Sequence, residues 1–239
     1  MTLLHPDLDK CHSYLTYHLA DKEKYVPPAR RGMPFITISR EAGARGHSLS
    51  ELLHGYLDMK WPLPESDWTV FDKDLVQAAM EEHGLPQRFG KYLAEKRVSE
   101  IKSLIGELTG LHPPLWDLNQ LVFESLLHLG HIGGVILIGR GSHIITRKLH
   151  NGLHLRLVGS LEQRVKRVVD YRQIPANEAK SLIKKEDRAR RLWIKDNFNE
   201  AIDDPLAYDL TINTDTLSVE DVASLVGCFI TKRHAAIFN

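Results

Sequence analysis

A short apolar run that leads into a glycine-containing loop constrains this fold more than any other feature of the sequence. The run is residues 35–38, Phe-Ile-Thr-Ile, and the loop after it contains Gly43 and Gly46. A run of this kind predicts a buried strand, and residues 48–53, Ser-Leu-Ser-Glu-Leu-Leu, predict the beginning of a helix. This order is typical of a phosphate-binding turn, because the loop amides and the positive end of the helix point toward an anion.

The usual phosphate-binding motif, G-x-x-x-x-G-K-[ST], is incomplete here because its lysine is missing from residues 40–48, Arg-Glu-Ala-Gly-Ala-Arg-Gly-His-Ser. If the loop binds a nucleotide, its amides would hold the β-phosphate and Ser48 would offer a hydroxyl to Mg²⁺. Arg45 or His47 would then partly replace the lysine. An ordinary strand-to-helix turn, which also favours glycine, is the alternative.

Strands and helices are predicted to alternate along the rest of the chain. Further strands are predicted at 68–71, 135–138, 154–158 and 210–213, and helices at 49–59, from 161, at 177–197 and from 218. Residues 74–130 are predicted to be largely helical. The alternation predicts an α/β fold with a parallel sheet and right-handed crossovers. Ligands bind at the carboxyl ends of such strands, where residues 39–48, 71–74 and 139–142 would meet.

Two charged residues at these strand ends are candidates for ligand contacts. Arg140 stands between two glycines after a buried strand and could reach a bound phosphate; an exposed arginine in a turn is the alternative. Asp72 could orient a substrate or a metal-bound water, and it could equally cap the helix that follows it.

A basic helix follows the fourth strand. Lys184, Arg188, Arg191 and Lys195 are spaced to share one of its faces. Guanidinium groups suit a transferring phosphoryl group, whose charge is spread over several oxygens, so this helix could close over phosphates as a lid. A solvated helix with pairs such as Glu186 with Arg190 is the alternative.

The composition limits the classes of partner. The 239 residues carry 31 basic and 31 acidic side chains, and this balance argues against a general nucleic-acid binder. Two distant cysteines suit a reducing compartment, and no apolar run is long enough to span a bilayer, so we expect a cytoplasmic protein.

Residues 1–33 form an extension with a predicted helix at 8–19, which would pack on the body or on a second copy in a homodimer.

Six segments together resemble the cytidylate kinase-like family. They are residues 36–41 (Ile-Thr-Ile-Ser-Arg-Glu), 71–76 (Phe-Asp-Lys-Asp-Leu-Val), 139–141 (Gly-Arg-Gly), 154–158 (His-Leu-Arg-Leu-Val), 184–191 (Lys-Lys-Glu-Asp-Arg-Ala-Arg-Arg) and 203–215 (Asp-Asp-Pro-Leu-Ala-Tyr-Asp-Leu-Thr-Ile-Asn-Thr-Asp). The resemblance covers about 34–230. It implies a three-layer α/β P-loop NTPase fold with a five-stranded parallel sheet. It also implies a helical insertion at about 74–131 that binds a nucleoside monophosphate (NMP), and an arginine-bearing lid at about 176–197.

The resemblance also implies an activity: transfer of the γ-phosphate of ATP, with Mg²⁺, to a nucleoside monophosphate (CMP or dCMP foremost) or a related small acceptor. Arg140, Arg188 and Arg191 would be catalytic. The cofactor phosphates would lie against Ser39, Arg40, Gly43, Ala44, Arg45, Gly46, His47 and Ser48, the last also binding the metal. The substrate would be bound by Asp72, Lys73, Arg140 and Lys184.

The loop departs from the pattern of true cytidylate kinases at its lysine. An ungapped match places Gly46 there, and a gapped match places His47 there. Those kinases also carry acidic residues around the arginine matched by Arg140, where this chain has Ile138 and Gly141. A second hypothesis is therefore a nucleotide-binding or regulatory protein on the same fold with little turnover.

Overall fold

The computed structural model describes residues 33–60, 68–72 and 116–234. Its strands are β1 Phe35–Arg40, β2 Thr69–Phe71, β3 Val135–Ile138, β4 Gly152–Val158 and β5 Leu210–Asn213. Its helices are α1 Gly46–Lys60, α2 Trp116–Ile132, α3 Ser142–Ile145, α4 Leu161–Arg172, α5 Ala176–Phe198 and α6 Val219–Arg233, with a 3₁₀ turn at Pro205–Ala207. The predicted extension at 1–33, apart from its last residue, lies outside the described residues, as does most of the predicted NMP-binding region.

The five strands form one parallel sheet in the order β2-β3-β1-β4-β5. Central strand β1 is paired with β3 and β4, so that Ile38 lies opposite both Ile138 and Leu155. Helices connect successive parallel strands, as the alternating pattern predicts. The α/β class and the five-stranded P-loop NTPase sheet are thereby confirmed. The carboxyl ends of β1, β2 and β3 lie side by side, which brings together the loops that follow them.

Side-chain alternation along β1 divides the core into two layers. Ile36 and Ile38 pack on one face with α1 and α6 residues such as Leu53 and Val226. Phe35 packs on the other face with residues of α2 and α5, including Phe198. On that second face Thr37 and Ser39 are buried as well, so the face becomes polar toward the carboxyl end of the strand. A polar patch within the sheet is therefore available beside the loop.

The helix boundaries follow local capping chemistry. Ser160 caps α4 by accepting the Gln163 amide at 3.3 Å, but the Ser160 amide donates to Asp215 at 3.0 Å. The reciprocal capping box of residues 160–163 is therefore only half formed by α4 itself. At α6, Ser218 and Asp221 form the complete reciprocal box. Within the described ranges, the helices are too short or too polar to cross a bilayer.

Candidate functional site

The loop between β1 and α1 has the backbone geometry of an anion-binding turn. Gly43 and Arg45 have left-handed φ angles of 78° and 63°. The Leu49 amide donates to the Arg45 carbonyl at 2.9 Å, which closes the first turn of α1. The amides of residues 46–48 lie in that turn, where their own helix offers no acceptor. They are directed at the space before the helix, where the helix dipole favours an anion.

Arg40, the last residue of β1, lies across this loop. A Cβ built at Gly46 would lie 2.9 Å from Arg40 Cγ, and one built at Gly139 would lie 2.3 Å from Arg40 Nη1. The side chain therefore runs over the backbone of residue 46 and ends beside the turn after β3. Burial lowers the pKa of Arg40 to about 10, and the positive charge of Arg190 adds to the effect.

Three other arginines, Arg156, Arg190 and Arg191, surround a narrow cleft together with Arg40, and in this structure the cleft has no room for a water molecule. We call these four residues the arginine cluster. Arg156 is 4% exposed and donates to Ser39 Oγ at 2.9 Å and to Asp203 at 2.8 Å. Its Nε has no hydrogen-bond partner among the described atoms. Such a concentration of guanidinium groups at the carboxyl edge of a parallel sheet is suited to binding an anion with several oxygens.

Two aspartates compensate part of this charge. Asp203 also accepts from Arg191 Nε at 2.7 Å. Burial raises the pKa of the Asp203 carboxyl, but the hydrogen bond from Arg191 and the charge of Arg156 outweigh it, so that the pKa is lowered. Asp187 also borders the cleft, at a separation of 3.7 Å from Arg190. Both carboxylates stand where the oxygens of an anionic ligand would interact with the cluster.

Helix α5 is hydrogen-bonded directly to the loop between β1 and α1. Asp187 accepts the Ala42 amide at 2.7 Å and Arg164 Nη1 at 2.6 Å. Arg164 in turn donates to the Ala42 carbonyl at 3.1 Å. Arg190, one turn further along α5, donates to the Arg40 carbonyl at 3.4 Å. The predicted lid segment is thus packed against the end of β1 in this structure.

The remaining predicted loop residues occupy different environments. Ser39 is buried, and its hydroxyl meets Arg156 and the hydroxyl of Tyr208, the latter at 3.2 Å. Ala44 is buried in the core layer of α1. His47 and Ser48 are exposed, and His47 lies 3.3 Å from Glu51. The nucleotide contacts assigned to these residues stay predictions.

The predicted residues outside the loop are only partly brought together. Arg140 has a left-handed φ of 51° and lies over the Trp193 ring at 5.8 Å, so it contacts α5. Asp72 directly follows β2 and interacts with the charge of Arg40. Lys73 lies outside the described residues. The functional roles of Arg140, Asp72 and Lys73 stay predictions.

The predicted basic face of α5 is mostly turned to solvent. Lys184 and Arg188 are exposed and have no partner among the described residues, whereas Arg191 reaches Asp203. The inward face is the neighbouring stripe of Ile183, Asp187, Arg190 and Ile194. Arg190 does form the Glu186 pair of the alternative reading, at 2.8 Å, and it also contacts the end of β1. The roles of Lys184 and Arg188 stay predictions.

Sequence reasoning missed Arg156, Arg164 and Asp187 as site residues. Arg156 could have been identified by one feature of the sequence: it is a charged residue inside a mostly apolar strand, and a buried charge needs a partner. Asp187 is spaced four residues after Ile183 and seven before Ile194, which places it on the buried face of α5. The partners of both residues come from distant parts of the chain, which a local pattern does not identify.

Two histidines and a tyrosine pack behind the arginine cluster. The His143 ring stacks on Tyr208 with centroids 4.6 Å apart, and His154 bonds to Thr37 Oγ1 at 2.9 Å. Burial lowers the pKa of His143 to about 3 and that of His154 to about 4, so both imidazoles are neutral near pH 7. The cluster therefore rests on a buried layer that is polar but uncharged.

The side chains at the loop are compatible with Mg²⁺ carried by a nucleotide. Ser48 presents its hydroxyl in the first turn of α1 without a partner among the described residues, whereas Ser50 donates its own to the His47 carbonyl. Within the described ranges there is no group of three His, Cys, Asp or Glu side chains arranged to hold a metal. Mg²⁺ in phosphoryl-transfer sites is bound mainly by phosphates and water with one or two protein oxygens, which suits this donor set.

Comparisons with known proteins agree with this fold. A model of the cytidylate kinase-like family matches residues 35–216. An uncharacterized protein from Eubacterium ventriosum aligns at 17% identity and a TM-score of 0.64, over 84% of this chain and 99% of that chain. Shikimate kinase from Acinetobacter baumannii, in complex with shikimate, aligns at 14% identity and a TM-score of 0.43, over 87% and 99%. No curated protein matches the sequence significantly.

Proposed function

The chain belongs to the cytidylate kinase-like family, and from this premise we propose that it is an ATP-dependent phosphotransferase. It would transfer the γ-phosphate to a nucleoside monophosphate, CMP or dCMP foremost, or to a related small acceptor. The family and the parallel sheet support a kinase-like, nucleotide-binding protein. The donor, the acceptor and turnover are the parts that we propose.

The observation that carries the proposal is the arginine cluster at the carboxyl edge of the sheet. Four guanidinium groups, from Arg40, Arg156, Arg190 and Arg191, border one cleft, and two of them come from the lid helix. Phosphoryl transfer needs cations around the equatorial oxygens of the moving group, because negative charge is spread over them in the transition state. Two of these arginines come from α5, which packs against the end of β1 in this structure, so an outward movement of the helix would admit the phosphate and its return would restore the arrangement.

The proposed chemistry asks little else of the protein. A phosphate acceptor is already an anion, so the chain need not supply a general base, and catalysis would consist of positioning and charge neutralisation. Amides of residues 46–48 would hold donor phosphate oxygens at the helix terminus. The Ser48 hydroxyl would help to hold Mg²⁺, which would supply further neutralisation of the phosphate charge. Packing of α5 would exclude water and so suppress ATP hydrolysis.

A second function, nucleotide binding with little turnover, is favoured by one observation. Gly46 stands at the place of the P-loop lysine, and the loop is already fastened to α5 through Asp187 and Ala42. A regulatory protein would need the binding site and the movable helix but not the full set of transition-state contacts. The two functions differ in whether ADP forms when an acceptor is added.

The test is phosphoryl transfer by the purified full chain. ATP and Mg²⁺ would be supplied with each of CMP, dCMP, UMP, AMP and GMP, and ADP and the new diphosphate would be followed. We expect acceptor-dependent ADP formation that falls by about a hundredfold or more in Arg190→Ala. Lys185→Ala, an exposed position on the same helix, is the matched control and should retain activity. ATP binding without turnover for any acceptor would reject the transferase proposal and favour the second function.

A further inference from the structure

With its lysine aligned to Gly46, the P-loop motif is altered at all four of its defined positions, the Ser/Thr position falling on His47, and two of the four changes are reciprocal. When the lysine of G-x-x-x-x-G-K-[ST] is aligned with Gly46, the first glycine of the motif falls on Arg40. A glycine therefore occupies the lysine position, and a cation occupies the first glycine position. The second glycine of the motif falls on Arg45, whose φ of 63° keeps the left-handed backbone that glycine usually supplies.

The structure shows that these two replacements are coupled in space. The Arg40 side chain passes so close to Gly46 that a Cβ there would lie 2.9 Å from Cγ and 3.3 Å from Cβ of Arg40. Cγ is near the root of the side chain and cannot swing away as a terminal group could. A residue larger than glycine at position 46 is thus incompatible with this course of Arg40. The arginine excludes a lysine at position 46 and lies over the same backbone.

The guanidinium of Arg40 is an incompletely compensated charge. No carboxylate among the described residues makes a hydrogen bond or ion pair with it. After burial, the charge of Arg190 lowers its pKa most; Asp72 and Glu186 act in the opposite direction, and Arg156 adds a smaller repulsion. A buried cation in such surroundings would be stabilised by an anion, which the cleft, closed in this structure, would have to open to admit.

The other two basic residues of the loop are placed less favourably. Arg45 and His47 are exposed, and the His47 ring lies beside Glu51 at 3.3 Å. Neither lines the cleft formed by the arginine cluster, whereas Arg40 does. Among the loop cations, Arg40 alone combines burial, an approach to the loop backbone and a position in the cluster.

We propose that Arg40 replaces the P-loop lysine and binds the β- and γ-phosphate oxygens of the nucleotide from the opposite end of the loop. This inference rests on the proposed function for the identity of the ligand. A guanidinium stays protonated and can bond two oxygens at once, so it supplies the charge of lysine with a fixed geometry. The positive charge that the P-loop lysine usually supplies would then be present in this chain, but at position 40 and not at position 46.

The test is equilibrium binding of ATP, ADP and AMP to the full chain by calorimetry, with Mg²⁺ and without acceptor. The variants are Arg40→Gly, Gly46→Lys and the double variant Arg40→Gly/Gly46→Lys, which moves the cation back to the motif's lysine position. We expect ATP affinity to fall about tenfold to a hundredfold in Arg40→Gly. Gly46→Lys should also bind ATP weakly, because its Cβ would collide with Arg40. The double variant should recover most of the affinity, a strongly non-additive result.

Two further comparisons separate phosphate binding from a structural role. AMP lacks the β- and γ-phosphates, so its affinity should change much less than that of ATP in Arg40→Gly. Arg40→Lys should retain more ATP affinity than Arg40→Met, since it keeps the charge. Thermal unfolding of each variant would show that the fold persists, and Lys185→Ala would serve as the unaffected control.

The outcomes distinguish this inference from the proposed function. Arg40-dependent ATP binding without turnover in the wild-type chain would support the inference and reject the transferase. Normal ATP affinity in a folded Arg40→Gly, with turnover intact, would overturn the inference and leave the transferase standing. Equal losses for ATP and AMP would also overturn it, because they would assign a structural role to Arg40. Absence of ATP binding in the wild-type chain would overturn both.

Discussion

The Asp187 carboxylate accepts a hydrogen bond from the Ala42 backbone amide at 2.7 Å, although the two residues are 145 positions apart in the chain. Ala42 lies in the loop after β1, and Asp187 lies on the inward face of α5. The same carboxylate is bound by Arg164 of α4 at 2.6 Å. One buried aspartate therefore couples the position of α5 to the conformation of the loop.

Replacing this aspartate should destabilise the chain strongly. Asp187→Ala leaves the Arg164 guanidinium, which is 7% exposed, without its main counter-charge, and it also leaves the Ala42 amide without its acceptor. Breaking one side of a buried ion pair costs about 3–5 kcal/mol. We expect a loss of that order in the free energy of unfolding measured with urea. Asp196→Ala, an exposed position on the same helix, should change it little; equal losses in the two variants would contradict the assignment.

The turn after β3 should be intolerant of a side chain. Gly139 has φ +77°, and a Cβ there would lie 2.3 Å from Arg40 Nη1. Gly139→Ala should cost about 1 kcal/mol in stability from the left-handed backbone, and it should weaken ATP binding by displacing the guanidinium. Denaturation and calorimetry on one preparation would measure both. Unchanged ATP affinity would show that the place of Arg40 beside residue 139 is irrelevant to the ligand.

Replacing a glycine in the middle of α1 should stabilise the chain, in contrast to the replacement of Gly139. Nothing lies within 4 Å of a Cβ built at Gly55, which is exposed on the helix. Gly55→Ala should therefore stabilise the chain by about 0.5–1 kcal/mol, because alanine loses less backbone entropy in a helix. The midpoint of urea unfolding should rise. A fall in the midpoint would indicate that this face of α1 is covered in solution.

Neutralising Asp203 should favour phosphate binding. Asp203 occupies Arg156 and Arg191 at once, as a phosphate oxygen would. Asp203→Asn keeps the shape of the side chain but removes its charge, so ATP should bind several-fold more tightly. Stability should fall by no more than about 1 kcal/mol, since the carboxylate is half exposed. Weaker ATP binding in this variant would show that Asp203 positions the arginines.

The strands were predictable because their signals are local. The run 135–138 is wholly buried as β3, and the run after Gly32 became β1 with its end at Arg40. Such apolar segments can only be accommodated inside a sheet, and their alternation with helices fixes a parallel arrangement. Helix α5 was also predicted to within a residue at each end, at 177–197 against Ala176–Phe198.

The orientation of the site residues could not be predicted from local sequence patterns. Charge spacing on α5 identified the stripe that contains Arg188, but the helix turns the adjacent stripe with Asp187 and Arg190 toward the loop. The apolar residues Ile183 and Ile194 determine that rotation, because their burial outweighs the charges. The position of the Arg40 side chain in the site could not be predicted either, because its proximity to Gly139 arises only when β1 and β3 pair.

The buried histidines should make the fold sensitive to mild acid. Burial, and then the neighbouring charges of His154, Arg156 and Arg147, lower the pKa of His143 to about 3. In the unfolded chain the imidazole pKa is about 6.5. As pH falls below that value the unfolded state binds a proton that the folded state excludes, so stability decreases with falling pH until the folded pKa is reached. Each such histidine contributes about 1.4 kcal/mol per pH unit.

His143→Phe should therefore flatten the pH dependence by one proton while keeping the stack on Tyr208. We expect the difference in unfolding free energy between the variant and the wild-type chain to shift in favour of the variant by about 1.4 kcal/mol per unit between about pH 5.5 and 4. Urea unfolding at several pH values would measure it. Parallel curves for the two proteins would mean that His143 is protonated in the folded state, and that the layer behind the arginine cluster carries a positive charge.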